Sequence, residues 1–226
     1  MLDIDAATSF VSSALASVAD PGKAPDMARY MKTEMPFYGV QKSARIPILR
    51  DLIRSWPPTT RAEYTALVES LWALPHREEK YLALGVARKH DRFVTVSSVP
   101  LYRRLIVSGG WWDFVDEVAT HLTGKVLLRQ RERMTPTILS WLEHRHLWVR
   151  RAAILSQIRH KEHTDEALLF HCCTSRAHET DFFIRKAIGW ALRDYAWTAP
   201  DSVARFVAAN AATLSGLSKR EATKNL

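Results

Sequence analysis

The chain has 226 residues, 47% of them hydrophobic, and a formal net charge of +8. That apolar share is enough for a core and excludes wholesale disorder. The two cysteines, Cys172 and Cys173, are adjacent; this argues against a secreted disulfide scaffold and fits a reducing cytoplasm.

In chain order, residues 1–18 read as an amphipathic helix. They carry Asp3 and Asp5 where a signal peptide would be basic. No apolar run approaches the roughly 20 residues that span a bilayer, so no membrane association is expected. Residues 20–26 read as a loop. Pro57-Pro58 and Pro75 bracket a helix over 64–74, which Thr60 and Glu63 open as a capping box. Pro100 and Pro200 mark further breaks, and Gly109-Gly110 reads as the loop before a helix that starts near Trp111. Thr135-Pro136 reads as a cap followed by a first-turn proline, and Ser218 with Glu221 as another capping box. Trp141 and Trp148 are expected in the core. Arg129, Arg131 and Arg133 are expected on a solvated face. His160 and His163 read as surface residues without a third ligand, so no metal is expected.

The chain also resembles itself. Residues 148–154 align with 183–189 at an offset of 35, as an apolar-Arg-x-x-Ala core. Asp116 falls opposite Arg150 at an offset of 34, and Tyr81 lies 35 before Asp116. A period of 35 to 40 predicts an all-α solenoid of HEAT-like antiparallel helical repeats. It is expected to form one domain, residues 1–226, with a concave basic groove. Between Lys125 and Arg193 there are 13 Lys and Arg against 7 Asp and Glu, the electrostatic footprint that phosphate backbones favour.

The string Trp111-Trp112-Asp113-Phe114-Val115-Asp116 concentrates indoles beside carboxylates. Trp112 and Asp116 share a helical face at i,i+4, as Trp190 and Arg193 do at i,i+3. Trp111, pointing away from Trp112, is expected to pack inward. Flat aromatic walls, one anion and fixed cations suit a substrate that is a cation within a polyanion. Arg150 and Arg185, at the repeat position, are expected to pair between repeats.

These strings, with Phe182-Phe183-Ile184-Arg185-Lys186-Ala187-Ile188-Gly189-Trp190 and Leu217-Ser218-Lys219-Arg220-Glu221-Ala222, resemble the AlkD-type DNA alkylation repair enzymes, a HEAT-like-repeat DNA glycosylase family. The resemblance implies hydrolysis of the N-glycosidic bond of cationic N3- and N7-alkylpurines in double-stranded DNA. It implies no cofactor. It assigns Asp116 as the catalytic carboxylate, Trp112 and Trp190 as its aromatic partners, and Arg151, Arg193 and Lys186 as DNA-binding cations. Asp116 is expected to be a free carboxylate between the two tryptophans, and Arg151 to hold a phosphate. No lysine stands out as a Schiff-base nucleophile, so a monofunctional enzyme, monomeric and at the nucleoid when bound to DNA, is expected. Members with a basic tail continue past the point matched by Leu226. The alternatives are a non-catalytic repeat protein that binds bent or branched DNA, and a protein-binding scaffold.

Overall fold

The computed structural model describes residues 2–226, and every described element is helical. The chain divides into two compact units, Met1–Val94 and Thr95–Leu226. No helix among the described residues is long and apolar enough to cross a membrane.

The N-terminal unit contains α1 (Ile4–Ser17), α2 (Ala24–Met31), α3 (Lys42–Ser55), α4 (Arg61–Ala73) and α5 (Arg77–Lys89). Asp3 caps α1 and Thr60 caps α4, each accepting from a backbone N–H three residues on. Glu63 reaches past the cap residue to Thr59, so the capping box of α4 is shifted by one residue at its return bond. The core consists of Val11, Leu15, Leu52, Tyr64, Leu67, Leu71 and Leu82, all essentially inaccessible. A second tie is polar. The buried carboxylate of Glu78 accepts from the backbone N–H groups of Tyr38, Gly39 and Val40. Gly39 is required there: its φ is +83°, and a Cβ would lie 2.0 Å from Asp20 O.

The C-terminal unit contains α6 (Val99–Gly109), α7 (Trp112–Glu117), α8 (Gly124–Arg129), α9 (Arg131–Leu142), α10 (Leu147–Ile154), α11 (Glu166–Ser175), α12 (Phe182–Ala196), α13 (Pro200–Ala209) and α14 (Gly216–Ala222). A π-helical turn, Val118–Thr123, joins α7 to α8. Within this unit α7 packs on α10, α10 on α12, and α12 on α14.

The repeat is regular. Helices α3, α5, α7, α10 and α12 begin at Lys42, Arg77, Trp112, Leu147 and Phe182, each 35 residues after the last, and α14 follows 34 later at Gly216. This corrects the register. Asp116 is the fifth residue of α7 and matches Arg151, the fifth of α10, rather than Arg150. Lys186 holds the same place in α12, and Tyr81 in α5.

Several local expectations change. Thr135-Pro136 does not open a helix: α9 starts at Arg131, and the Thr135 hydroxyl donates to Arg131 O instead of capping. The cap of α14 is Ser215, which accepts from Ser218 N, so Ser218 lies inside the helix. Gly110 directly precedes the Trp111 cap of α7, as expected, but Gly109 belongs to α6, which Gly110 ends in a left-handed conformation, φ +50°. His160 is buried and bonds Gly124 O through Nε2 at 3.0 Å; burial pushes its pKa down to about 4, so the ring is neutral. Arg131 is not merely solvated, since it donates to Gln157 and to His163 O. Trp141 and Trp148 are buried as expected, and Cys172 and Cys173 are buried free thiols.

Candidate active site

The predicted carboxylate sits at the seam of α7 and α10. Asp116 and Arg151 form a bidentate pair: Nε donates to Oδ1 and Nη2 to Oδ2, both at 2.8 Å. Two parallel bonds from a planar guanidinium fix a carboxylate in orientation as well as in charge. The third guanidinium nitrogen, Nη1, donates to Phe183 O at the start of α12, at 2.6 Å. Arg151 therefore ties α7 to α12 from its place on α10.

Two expectations change here. Asp116 is not a free carboxylate, and Arg151 does not reach outward to a phosphate. The Arg151 side chain is 4% exposed, with each of its three nitrogens bonded to a protein acceptor, whereas Asp116 keeps 16% of its surface. Of the pair, the carboxylate is the partner that solvent or a ligand can reach. Burial pushes the Asp116 carboxyl above its ordinary range; the bonded charge of Arg151 opposes this, and the nearby negative charge of Asp113 adds to it.

The local sequence explains why the carboxylate stands there. Trp111 occupies the cap position of α7 with an extended backbone. Its ring packs 5.8 Å from that of Trp148 and 5.4 Å from that of Phe183, which is 4.8 Å from Trp148. Three aromatic side chains from the starts of α7, α10 and α12 thus form one cluster, and the Arg151 guanidinium lies over its Phe183 ring, 5.9 Å from the centroid. Trp111 joins this cluster although, like Trp112, it is only half-buried rather than core, and its Nε1 is buried without a hydrogen-bond partner.

On the other side of Asp116 the helix widens. The π turn begins two residues later, and Thr120 Oγ1 donates to Asp116 O at 2.8 Å. One extra residue in a helical frame rotates all that follows by about 100°, and such π bulges recur at functional sites. Gly124 closes the turn. A Cβ there would lie 2.6 Å from Ser156 O, so only glycine lets α8 approach the turn after α10.

Trp112, one helical turn before Asp116, and Trp190 on α12 are both half-buried. Lys186 and Arg193, expected to bind DNA, are already paired. Glu221 of α14 takes Lys186 at 2.8 Å, Arg193 at 2.5 Å and Lys224 at 2.6 Å. These bonds, those from Lys186 and Lys224 foremost, hold the Glu221 pKa down to about 2. One carboxylate cannot neutralise three cations, so this cluster keeps an excess of positive charge. Arg150 behaves as its repeat position suggests: it grips Glu179 with two bonds, and Arg185 donates to Glu179 O.

Sequence reasoning did not single out Arg159. It is exposed with φ +73°, and its N–H is held by Asp194 at 2.8 Å. Lys161, two residues on, also has positive φ. Two cationic non-glycine residues in left-handed backbone mark strain that the surrounding bonds must hold. Nothing in the local sequence signals this. Among the described residues, no group of three or more His, Cys, Asp or Glu is arranged to hold a metal ion.

A family model for DNA alkylation repair enzymes matches residues 11–226. The chain belongs to the DNA alkylation repair enzyme family. Among solved structures, a predicted DNA alkylation repair enzyme from Enterococcus faecalis is similar at 27% identity, with a TM-score of 0.80, over 92% of this chain and 96% of that one. The protein smu.31 from Streptococcus mutans UA159 shares the fold, with a TM-score of 0.62 at 16% identity, over 88% of this chain and 97% of that one. A comparison with curated proteins gives no match. Membership assigns the chain to DNA alkylation repair as an enzyme acting on DNA.

Proposed function

We propose that this family member is a monofunctional DNA glycosylase that releases cationic N3- and N7-alkylpurines from duplex DNA, with residues 1–226 working as a single domain. The observation that carries the reading is Asp116, a carboxylate held in one orientation by a buried arginine while part of its surface stays open.

An alkylated purine of this class already carries positive charge and leaves without being protonated. Two tasks remain: stabilising a sugar with oxocarbenium character, and supplying water. A carboxylate beside C1′ does the first electrostatically and orients or deprotonates the water for the second. Arg151 is then a positioning residue. Its fork aims Asp116 and favours its ionised form, opposing the burial that works against the anion. Trp112 and Trp190 would offer indole faces to the charged nucleotide, an attraction of roughly 0.5 to 2 kcal/mol that a neutral purine does not gain. Lys186 and Arg193 would meet phosphates with the charge that Glu221 leaves uncompensated; such contacts position DNA without reading its sequence.

The engagement of both Asp116 oxygens equally favours a second reading, in which the pair is structural and the protein binds bent or branched DNA without catalysis. The two readings differ in their product. A labelled duplex with one 7-methylguanine, incubated with the protein, should stay intact until alkali is added and then break at the lesion. Strand breakage without alkali contradicts the monofunctional assignment, and no breakage in either case favours the non-catalytic reading.

A further inference from the structure

Helix α12 carries a pattern that the proposed chemistry does not use up. Lys186, Trp190, Arg193 and Trp197 follow one another at intervals of four, three and four residues, the spacing of a single helical face. Trp197 continues the helix, with φ −63° and ψ −24°. The end of the chain lies along this row. Glu221 takes Lys186 and Arg193, and also Lys224 from the turn beyond it. The side-chain amide of Asn225, oriented so that both its ends are satisfied, accepts from Trp197 Nε1 at 2.7 Å.

Trp197 is nonetheless 77% exposed. Its edge is tied by the N–H bond while its ring stands in solvent, so it adds little to the core. Along the row that leads to it, three cations share one carboxylate, an excess of two positive charges. The nearest acidic residue on the helix, Asp194, is turned to the Arg159 N–H instead. An indole fixed by its edge amid excess positive charge is the arrangement of surfaces that hold nucleic-acid strands, where cations meet phosphates and the ring meets a base or sugar.

We propose that Trp197 is a further aromatic contact to DNA, the second on α12, extending the Lys186–Trp190–Arg193 row beyond the lesion. The proposal rests on the DNA reading of Trp190 given above. Seven residues of helix separate the two indoles by about 10 Å along the axis, roughly three base-pair steps of duplex. Trp197 therefore grips a flanking nucleotide and contributes affinity, not chemistry.

The test is fluorescence anisotropy of the full chain on a labelled duplex with one tetrahydrofuran abasic site, over a series of salt concentrations. Trp197→Ala should weaken binding about 5-fold, the low end of what loss of an aromatic contact to nucleic acid costs, because a paired flanking base offers the ring only its edge and sugar, and Trp197→Phe should restore most of it. The salt dependence should not change in Trp197→Ala, since no phosphate contact is lost, whereas Lys224→Ala should lower the slope by about one. Because the ring is exposed, the melting temperature should hold. Affinity of Trp197→Ala within about twofold of the native chain overturns the inference and leaves the DNA reading standing. Loss of a native self-association in Trp197→Ala, with DNA affinity intact, overturns it in favour of a second copy of the chain. If the native chain does not bind the duplex at all, the DNA reading and the inference fall together.

Discussion

Asp116 and Glu221 are both largely buried carboxylates at helix seams of the C-terminal unit, and they are wired in opposite ways. Glu221, between α12 and α14, faces three partly exposed cations and is held at a pKa of about 2. Asp116, between α7 and α10, faces one buried arginine, and burial still pushes its carboxyl upward. The first arrangement spends an anion to gather cations at the surface. The second uses a cation to fix the orientation of an anion that burial disfavours. An upward-shifted carboxylate of the second kind is what the proposed chemistry calls for, and one of the first kind is a scaffold for charge.

The largest effect that would sharpen this contrast comes from Arg151→Ala. It leaves a buried carboxylate without its counter-charge, a loss of about 3 to 5 kcal/mol. Chemical denaturation should show this, and Arg151→Lys should recover only part because the fork is lost. Wild-type stability in Arg151→Ala would mean that the pair is not buried as described.

Glu221→Gln should cost less, roughly 1 to 2 kcal/mol at neutral pH once the solvent screening of its exposed partners is allowed for. The sign follows from the lowered pKa. The stabilisation is present above the usual carboxylate range near 4.5 and is lost as pH falls toward about 2. Acid titration of the native chain and of Glu221→Gln should therefore converge near pH 2. The same variant frees three cations, so its affinity for undamaged duplex should rise; a fall would show that the clamp positions them rather than neutralising them.

The pH dependence of activity should separate the two carboxylates. In the proposed mechanism Asp116 acts as the anion, and its pKa is raised. The acid limb of single-turnover excision should then lie above the ordinary aspartate value of about 4. At that pH Glu221 remains ionised, so DNA binding should persist while excision is lost. Parallel loss of both would dissolve the contrast.

The sequence was most legible where one residue type does one local job. Prolines 57, 58, 75, 100 and 200 fall at helix breaks or first turns, and Thr60 caps α4. It was less legible where the partner is distant or the signal is shared. Thr135-Pro136 has the composition of a helix start, yet the threonine hydroxyl finds a carbonyl four residues back and the helix continues through it. The 35-residue period was visible, but its register at Asp116 was one residue off. That single step separates a carboxylate aligned with Arg150 from one aligned with, and bonded to, Arg151. The burial of His160 depends on the turn around Gly124, and no pattern within its own segment announces it. The role proposed for Trp197 could have been read from its spacing to Trp190 and Arg193; its exposure could not.

The central claim is that Asp116 is held for chemistry rather than for packing. The most direct measurement is single-turnover release of 7-methylguanine from a methylated duplex by the native chain and by Asp116→Asn, with the affinity of each for the duplex measured alongside. The native chain should release the base, and the variant should do so about 100-fold more slowly or worse, with binding kept. Equal release by both, or release by neither with binding intact, would contradict the claim and leave the Asp116–Arg151 pair a structural clasp in a DNA-binding protein.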